Sequence, residues 1–430
     1  MYNKNMCFYM RKGGNMKGCL DITNVLKTVN SAYEKLDETI SSHSLEVAYL
    51  TLEICKLLNI DENTKHSLVI AAYFHDFSAV RTNIVYSLED YETETVIQEH
   101  CILGYVLFNF LSPNTSICKF VLYHHNSYNS NKIINNIEKP LESNIIKLAD
   151  DISIFKMINK EVSINNIIDI LDKRSFFYNP EYLGQFLNSN ATEILNNLLD
   201  GSYKYKFWEE FNILDSEIIS TEKIIECLAF IIDCKCYIED FHSLSVSKTS
   251  CIICKYFNLS KIEYYNVMIG SLLHDIGKLA IPNEILKKES SLTKEEFEVM
   301  KKHVIYTYEI LSNLKNDSIL NIAANHHEKL NGKGYPRGIS NLSLSERIVS
   351  VADIFIALIQ KRPYKERFKK EKVIEILNKS VELGEIDNKV VNKIIENYDY
   401  LEAMNSMLYN KYREKILLLY NNYNKFICKN

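Results

Sequence analysis

The sequence has few turn-forming residues, with 12 glycines and 6 prolines among 430 residues. Average usage of roughly 7% glycine and 5% proline predicts about 50 such residues in a chain of this length. β-Sandwiches and β-barrels need many tight turns, so the deficit argues against both classes and favours long helices. We therefore predict an all-α protein.

The sequence also lacks an apolar run near the roughly 18 residues that a membrane-spanning helix needs. Its first 20 residues contain no apolar segment followed by a small-residue cleavage site, so they do not resemble a signal peptide. The 11 cysteines suit a reducing compartment. These features predict a cytoplasmic protein without a membrane partner.

The sequence also has no excess of basic charge, because its 50 Lys and Arg residues are outnumbered by 55 Asp and Glu residues. A protein that tracks a nucleic-acid backbone needs clustered Lys and Arg, so we expect neither DNA nor RNA polymer as a partner. The charge balance does not exclude a small anionic ligand that binds in a local basic pocket.

Histidine carries the strongest signal, because ten of the 11 histidines form two sets with matching spacing. The sets are His43, His75, His100, His124 and His125, and then His242, His274, His303, His326 and His327. Within each set the first two histidines are 32 residues apart, and the following steps are 25 and 24 residues in one set and 29 and 23 in the other. Each set contains a His-Asp dipeptide and is followed by an aspartate, Asp150 or Asp353.

This repeat predicts a duplicated domain with an offset of about 199 residues. We predict an N-terminal tail at residues 1–20, a first domain at 21–214 and a second at 215–430. Thr293 and Glu296 form the pattern of a capping box, which predicts a helix start before His303. Gly277 and Pro282 predict the end of the helix that carries the second His-Asp dipeptide.

Each copy brings together five histidines and two aspartates. In the second copy these residues are His242, His274, Asp275, His303, His326, His327 and Asp353. Seven nitrogen and oxygen ligands exceed the needs of one zinc or magnesium ion, so the set favours two first-row transition metals with one bridging aspartate. A centre of this kind activates water for phosphoester hydrolysis.

The second copy resembles the HD-GYP family of bacterial cyclic dinucleotide phosphodiesterases over about residues 230 to 395. The matching segments are His274 to Lys278, Ile281-Pro282, His326 to Glu328, Asn331 to Pro336, Arg347-Ile348, Val351 to Asp353 and Arg362 to Lys365. The resemblance implies two tandem helical domains of the HD superfamily, a centre of two or three iron or manganese ions, and hydrolysis of cyclic di-GMP or a related cyclic dinucleotide. It also implies that Asp275 bridges the metals and that the other six residues of the set are ligands.

The same resemblance implies roles for residues around the metals. Lys278 would reach the scissile phosphate or the leaving oxygen, and Arg362 with Lys365 would hold phosphate oxygens. The other substrate-binding residues that we expect are Gly334, Tyr335, Pro336 and Arg347. The alternatives are that Tyr335 is a core residue and that Arg362 and Lys365 belong to a solvated basic face.

Three positions depart from the family pattern. Asn331 replaces the usual Asp and keeps a polar side chain. Thr307 stands where glycine is frequent, which predicts looser helix packing after His303. Some members bind a third metal through a glutamate four residues before the first histidine, but Ile238 occupies that position and Glu239 is one residue off. We therefore favour two metals.

The first copy keeps the ligand residues but has lost the rest of the pattern. Its candidate metal ligands are His43, His75, Asp76, His100, His124, His125 and Asp150. Ala79 replaces the lysine, Asn159 replaces the arginine, and no Gly-Tyr-Pro segment follows the His-His pair. We expect a degenerate HD-type domain with a regulatory or structural role, which binds metal without hydrolysing a cyclic dinucleotide.

Two other functions remain alternatives to a cyclic dinucleotide phosphodiesterase. One is a receptor that binds the nucleotide without turnover, and the other is an HD-type phosphohydrolase that acts on a mononucleotide or an alarmone. The complete ligand set with Lys278 favours the phosphodiesterase. The motifs do not separate cyclic di-GMP, our first choice, from cyclic GMP-AMP, and they leave a homodimer open.

Overall fold

A computed structural model describes most of the chain. The described residues are 20–36, 38–76, 100–102, 104–105, 108–109, 115–130, 136–159, 161–211, 221–236, 241–360 and 367–427. Arg362, Lys365, Ala79, Ile238 and Glu239 lie outside them. The predicted boundary at residues 214 and 215 also lies outside them, and the division into domains stays a prediction.

The described residues form helices and no β-strand, which confirms the predicted all-α fold. In chain order the α-helices are α1 (Ile22–Leu36), α2 (Glu38–Leu57), α3 (Glu62–Tyr73), α4 (Thr115–Tyr123), α5 (Ser143–Ile158), α6 (Ile164–Lys173), α7 (Pro180–Asn188), α8 (Ala191–Asp200), α9 (Tyr203–Phe211), α10 (Thr221–Cys236), α11 (His242–Cys254), α12 (Lys261–Leu273), α13 (Asn283–Leu286), α14 (Lys294–Lys301), α15 (His303–Leu311), α16 (Asp317–Ala324), α17 (Leu344–Ile359), α18 (Lys370–Glu382), α19 (Asn388–Glu396) and α20 (Tyr398–Ile427). None of these helices combines the length and apolarity needed to cross a bilayer.

The described residues divide into two compact units, each containing one histidine set. The N unit takes its residues from Tyr33–Cys227 and Tyr409–Asn430, and the C unit from Met1–Ala32 and Leu228–Leu408. Helices α1, α10 and α20 contribute residues to both units.

In the C unit, α11 packs against α12 and α17, and α12 also packs against α16. The core between these helices is aliphatic, with Val246, Val267, Ile322 and Phe355 fully or almost fully buried. A Cβ atom at Gly270 would lie 2.6 Å from the Ile322 side chain, so glycine lets α12 approach α16 closely.

Local sequence signals fix several helix starts in the C unit. Thr293 and Glu296 form the predicted capping box at the start of α14, and Ser343 with Glu346 forms another at α17. The helix before His303 is interrupted at Lys302, so His303 is the first residue of α15. His303 therefore occupies a helix end.

The expectation of looser packing at Thr307 is wrong. The Thr307 side chain is fully buried; its hydroxyl donates to the His274 carbonyl (3.1 Å) and accepts from the Gly277 N–H (3.0 Å). At Gly277 a Cβ atom would lie 1.9 Å from the His303 carbonyl oxygen. The glycine that permits close packing is therefore Gly277, and the threonine connects α15 to the His-Asp turn.

In the N unit, α2 packs against α3 and α5, and α3 packs against α4. Val47, Leu68, Val121 and Leu148 are fully buried between them. The Asp61 carboxylate caps α3 by accepting from the Thr64 N–H at 3.1 Å. His43 and Asp150 lie within α2 and α5, and the pairs His75-Asp76 and His124-His125 follow the ends of α3 and α4.

Candidate metal centres

The ligand dipeptides of the C unit follow the C-terminal ends of helices. His274 and Asp275 come directly after α12, and His326 and His327 come one residue after α16. The C-terminal end of a helix carries a partial negative charge, which favours a bound cation. His242 and His303 begin α11 and α15, and Asp353 lies within α17.

Backbone carbonyls orient three of these histidines. The Nδ1 atoms of His274, His303 and His326 lie 2.8, 2.7 and 2.6 Å from carbonyl oxygens three residues earlier in the chain. Donation from Nδ1 satisfies carbonyls at the helix ends and leaves Nε2 facing the cluster with its lone pair. Nε2 is therefore the atom available to a metal.

Asp275 connects two groups of ligands through its two oxygens. Oδ2 lies 3.3 Å from His274 Nε2 and 4.0 Å from His242 Nε2. Oδ1 lies 3.6 Å from His303 Nε2 and 3.9 Å from His326 Nε2. One carboxylate thus faces both groups, which is the arrangement of a bridging ligand.

Each group has the donors for one ion. Donor atoms of His242, His274 and Asp353 lie within 4.8 Å of one another, and so do those of His303, His326 and His327. The buried Nε2 atom of His274 makes no hydrogen bond of good geometry within the described residues. The all-nitrogen and oxygen donor set fits first-row transition metals.

Charge in the cluster also fits cations. Burial would raise the pKa of Asp275, but Lys278 and the histidines hold it well below its ordinary value, and His242 has the same effect on the pKa of Asp353. Burial alone would lower the pKa of His274, but the two carboxylates outweigh it and raise that pKa to about 9. Burial lowers the pKa of His303 to about 3. The carboxylates therefore stay anionic and attract positive charge.

Lys278 lies at the edge of the cluster, with Nζ 2.5 Å from Asp275 Oδ2. It belongs to a 3₁₀ helix (Ile276–Ala280) that directly follows the His-Asp dipeptide. Lys235, on α10, donates to the carbonyls of Lys278, Leu279 and Ile281, with Nζ 3.1 Å from the last of these. Lys235 thereby holds the turn that presents Lys278.

The Gly-Tyr-Pro loop lies over the same cluster. The Tyr335 ring centroid is 4.8 Å from that of His327, and its N–H donates to the His327 carbonyl at 3.2 Å. A Cβ atom at Gly334 would lie 2.4 Å from the backbone of Glu328, so only glycine permits this approach. The buried Glu328 carboxylate accepts from the N–H groups of Arg337 (2.7 Å) and Ile339 (3.0 Å) and fixes the loop after exposed Pro336.

Arg347, one of the predicted substrate-binding residues, forms an ion pair. Its Nη1 atom is 2.5 Å from Asp387 Oδ2, and Asp387 also caps α19. The substrate-binding role of Arg347 stays a prediction. The roles of Arg362 and Lys365 stay predictions as well.

The N unit repeats the ligand arrangement. His43 Nε2 lies 3.1 Å from Asp150 Oδ1, and His75 Nε2 lies 3.5 Å from Asp76 Oδ2. The other Asp76 oxygen, Oδ1, lies 3.3 Å from His100 Nε2 and 3.9 Å from His124 Nε2. His125 joins the cluster through Nδ1, 3.3 Å from Asp150 Oδ2. All seven predicted ligands converge.

The charges in the N unit follow those in the C unit. Burial would raise the pKa of Asp76, but the surrounding histidines lower it to about 2. Burial lowers the pKa of His124 to about 3, whereas the two carboxylates raise that of His75 to about 9 against the effect of burial. A cation therefore finds the same electrostatic environment in this unit.

Four residues to which the sequence analysis assigned no role at these sites have contacts there. They are Lys235, Thr307 and Glu328 in the C unit and Cys101 in the N unit. Glu328 and Cys101 each directly follow a predicted ligand histidine, which was an available signal. The contacts of Lys235 and Thr307 join residues that are far apart in the sequence, so no local sequence pattern predicts them.

Comparisons with known proteins agree with this duplication. HD domain models match residues 40–154 and 209–390, which together make up about two thirds of the chain. The 3'3'-cGAMP-specific phosphodiesterase 1 of Vibrio cholerae serotype O1 is 24% identical over 375 residues, covering 83% of this chain and 87% of that protein. A cyclic di-GMP phosphodiesterase of Thermotoga maritima is 42% identical over 130 residues, covering 29% of this chain and 35% of that protein.

A solved structure has a similar fold. The crystal structure of a cyclic GMP-AMP specific phosphodiesterase of Vibrio cholerae (V-cGAP3) aligns with a TM-score of 0.54 and 20% identity, covering 88% of this chain and 97% of that one. Each of the two HD domain matches contains one of the converged sets of histidines and aspartates. The chain belongs to the HD domain family and contains two HD domains in tandem.

Proposed function

We propose that the C unit is a metal-dependent phosphodiesterase that hydrolyses a cyclic dinucleotide, with cyclic di-GMP as the first candidate and cyclic GMP-AMP as the second. The observation that carries the proposal is the Asp275 carboxylate, whose two oxygens face two separate groups of ligands. We propose two iron or manganese ions, held by His242, His274, His303, His326, His327, Asp353 and bridging Asp275.

Two such ions would lower the pKa of bound water and neutralise charge on a phosphoryl group. The protein residues supply the remaining functions. Backbone carbonyls hold the imidazoles of His274, His303 and His326 in the orientation that a metal needs. Lys278 places a positive charge beside Asp275, where it can hold a phosphate oxygen or support the leaving oxygen.

Substrate recognition is assigned to the loops around the cluster. The half-buried Tyr335 ring beside His327 offers a face on which a base can stack, and Gly334 and Pro336 shape its loop. Arg362 and Lys365 are proposed to hold phosphate oxygens. Arg347 is also proposed to contact the substrate, and its ion pair with Asp387 would orient its guanidinium group.

The relatives support this substrate class. By their names, the Vibrio cholerae relative acts on 3'3'-cGAMP and the Thermotoga maritima relative on cyclic di-GMP. We propose a structural or regulatory role for the N unit, because Ala79 and Asn159 leave it without the lysine and the arginine of the second copy. A cytoplasmic location follows from the proposed substrate class.

Turnover of three cyclic dinucleotides by the full chain, loaded with Mn²⁺ or Fe²⁺, tests the proposal. Asp275→Ala should lose both metal and activity, with turnover falling by roughly 1000-fold or more, because a bridging ligand serves both ions. Asp399→Ala is the control, because Asp399 is an exposed aspartate of the same unit.

Three outcomes would contradict the proposal. Tight binding of a cyclic dinucleotide without turnover would identify a receptor. Hydrolysis restricted to mononucleotides or an alarmone would identify a different phosphohydrolase. Wild-type activity in metal-free Asp275→Ala protein would show that the cluster does not activate water.

A further inference from the structure

Among the described residues of the N unit, a sulfur atom lies within the cluster of histidines. Cys101 is 2% exposed, and its Sγ lies 3.6 Å from His100 Nε2 and 3.9 Å from His124 Nε2. Donor atoms of His100, Cys101, His124 and His125 all lie within 4.8 Å of one another. In the second copy the residue after the corresponding histidine, His303, is Val304.

The separations from His100 Nε2 to the other three donor atoms are close to those of a tetrahedral metal site. With zinc bonds of about 2.3 Å to sulfur and 2.05 Å to nitrogen, tetrahedral angles place a sulfur and a nitrogen ligand about 3.6 Å apart and two nitrogen ligands about 3.3 Å apart. His100 Nε2 lies 3.6 Å from Cys101 Sγ, 3.3 Å from His124 Nε2 and 3.0 Å from His125 Nε2. Cys101 Sγ lies 3.9 Å from His124 Nε2, about 0.3 Å more than this geometry gives, so small side-chain shifts would bring the four donors around one ion.

The helical scaffold fixes part of this arrangement. His124 Nδ1 lies 2.6 Å from the Val121 carbonyl oxygen, so donation from Nδ1 leaves the lone pair on Nε2. Nε2 lies 3.9 Å from Cys101 Sγ, and Nδ1 lies 3.7 Å from it. A thiol donates one hydrogen, whereas Cys101 Sγ lies within 4 Å of ring nitrogens from two histidines. Ring nitrogens of two histidines therefore lie close to one sulfur atom, and a metal ion bound among them would explain this arrangement.

We propose that Cys101 is a metal ligand and that, with His100, His124 and His125, it forms a thiolate-containing site in the N unit that prefers zinc. On metal binding the Cys101 thiol gives its proton to solvent and forms a sulfur–metal bond. Thiolate ligands favour zinc over manganese, while the nitrogen and oxygen donors of the C unit suit iron and manganese. The two copies would then bind different metals. This inference does not rest on catalysis by the C unit.

Cobalt provides a direct probe, because Co²⁺ bound to a thiolate shows a charge-transfer band that imidazole and carboxylate ligands do not give. The full chain is stripped of metal, titrated with Co²⁺ alone and followed by absorbance, with bound metal measured by elemental analysis. Cys101→Val is the informative variant, because the second copy has valine at the matching position. Cys118→Val is the control, because Cys118 is a buried cysteine of the same unit.

We expect the band in the wild type and in Cys118→Val, and its loss in Cys101→Val together with a fall in zinc affinity of at least about tenfold. Cys101→Ser, which keeps the size of the side chain, should behave like Cys101→Val. Circular dichroism of each metal-free variant identifies any that does not fold. A band that persists in folded Cys101→Val or Cys101→Ser would overturn the proposal, and so would cobalt-loaded wild type without a band.

The reciprocal change uses the second copy. Val304→Cys places a thiol after His303 and should add a thiolate-to-cobalt band to a Cys101→Val background. Turnover of a cyclic dinucleotide is not the readout in any of these measurements, so the result stands whether or not the C unit is a phosphodiesterase. Absence of the new band in a folded variant with bound cobalt would contradict the equivalence of the two positions.

Discussion

The two HD domains share a ligand skeleton and differ in the groups around it. His43 Nε2 lies 3.1 Å from Asp150 Oδ1, and the matching atoms of His242 and Asp353 lie 2.9 Å apart. His100 and His124 place their Nε2 atoms 3.3 Å apart, against 3.4 Å for His303 and His326. The same ligand geometry therefore occurs in both copies, so a complete ligand set alone does not show which copy is catalytic.

The surroundings of the first histidine illustrate the difference. His43 Nδ1 lies 2.9 Å from Ser153 Oγ, which donates to the Glu46 carboxylate at 2.8 Å. His242 Nδ1 lies 3.2 Å from the Gln360 amide oxygen, and Ser245 stands where the first copy has Glu46. The N unit thus supports its ligand with a carboxylate through a serine and the C unit with a neutral amide, although the ligand itself is the same.

The largest difference that we expect between the copies depends on Lys278. Lys278→Ala should lower kcat by roughly 100-fold or more with metal content retained, because it removes a fixed positive charge from beside the reacting phosphate. The measurement is steady-state turnover of a cyclic dinucleotide together with metal analysis. Lys288→Ala is the control, because Lys288 pairs with Glu296 rather than with a ligand residue.

The reciprocal change Ala79→Lys sharpens the comparison. In a chain whose C unit is inactivated by Asp275→Ala, it should not create turnover, because the first copy still lacks the Gly-Tyr-Pro loop and the arginine. Turnover in that variant would mean that the lysine alone separates the two domains. Unchanged kcat in Lys278→Ala would mean that it does not separate them.

Arg362 tests substrate capture apart from chemistry. Arg362→Ala should lower kcat/KM by roughly 10- to 150-fold, which corresponds to about 1.5–3 kcal/mol for a lost charge-assisted contact to phosphate. Metal content should not change, because Arg362 is not proposed as a ligand. Catalytic efficiency equal to that of the wild type would remove Arg362 from the substrate site and favour the solvated basic face.

The sequence was sufficient to predict the fold class and which histidines and aspartates converge, but not the residues that support them. Scarce Gly and Pro indicated helices, and the histidine spacings identified the converging residues because the same spacing occurs twice. The Arg347–Asp387 ion pair joins residues 40 positions apart, and Lys235 reaches carbonyls more than 40 residues away. Such contacts depend on how helices pack, and neither hydrophobic period nor motif spacing encodes them.

For substitutions in the N unit we predict a smaller effect on turnover and a clear effect on stability. Replacing His75 and Asp76 by alanine together should remove the metal that these two residues hold, but not an ion at the Cys101 site. The melting temperature of the unit should fall, because the buried ligands that remain are costly without that metal or partners. Turnover should change only a few-fold. Trp208 is the single tryptophan of the chain and its ring lies 6.3 Å from that of Tyr73 in the same unit. Its fluorescence therefore reports unfolding of the N unit.

The number of metal ions bound per chain distinguishes a metal site in the first copy from histidines that are only packed in its core. The wild type should bind more metal than the Asp275→Ala variant, and the remainder should fall when His75 and Asp76 are also replaced, to the one ion proposed at the Cys101 site. If Asp275→Ala already contains no metal, the histidines of the first copy are packed core residues. The isolated first copy should show no turnover in either case.

The smallest effect that we predict concerns Thr307, where the two copies exchange a glycine and a hydroxyl residue. The C unit has Gly277 in the turn and Thr307 on the helix, whereas the corresponding residues of the first copy are Ser78 and Gly104. Thr307→Val keeps the volume but leaves the buried Gly277 N–H without its hydroxyl acceptor. It should lower the free energy of unfolding by about 1–3 kcal/mol.

Thr307→Ser is the matched control, because it keeps the hydroxyl and should cost about 1 kcal/mol or less. Denaturant unfolding followed by far-ultraviolet circular dichroism measures both variants, and Trp208 fluorescence, which reports the other unit, should keep its wild-type midpoint. Turnover should change only slightly, since the ligands remain and only the connection between α15 and the His-Asp turn is weakened. Equal stability of the valine and serine variants would show that the hydroxyl does not hold this turn, and the packing at Gly277 alone would then account for its position.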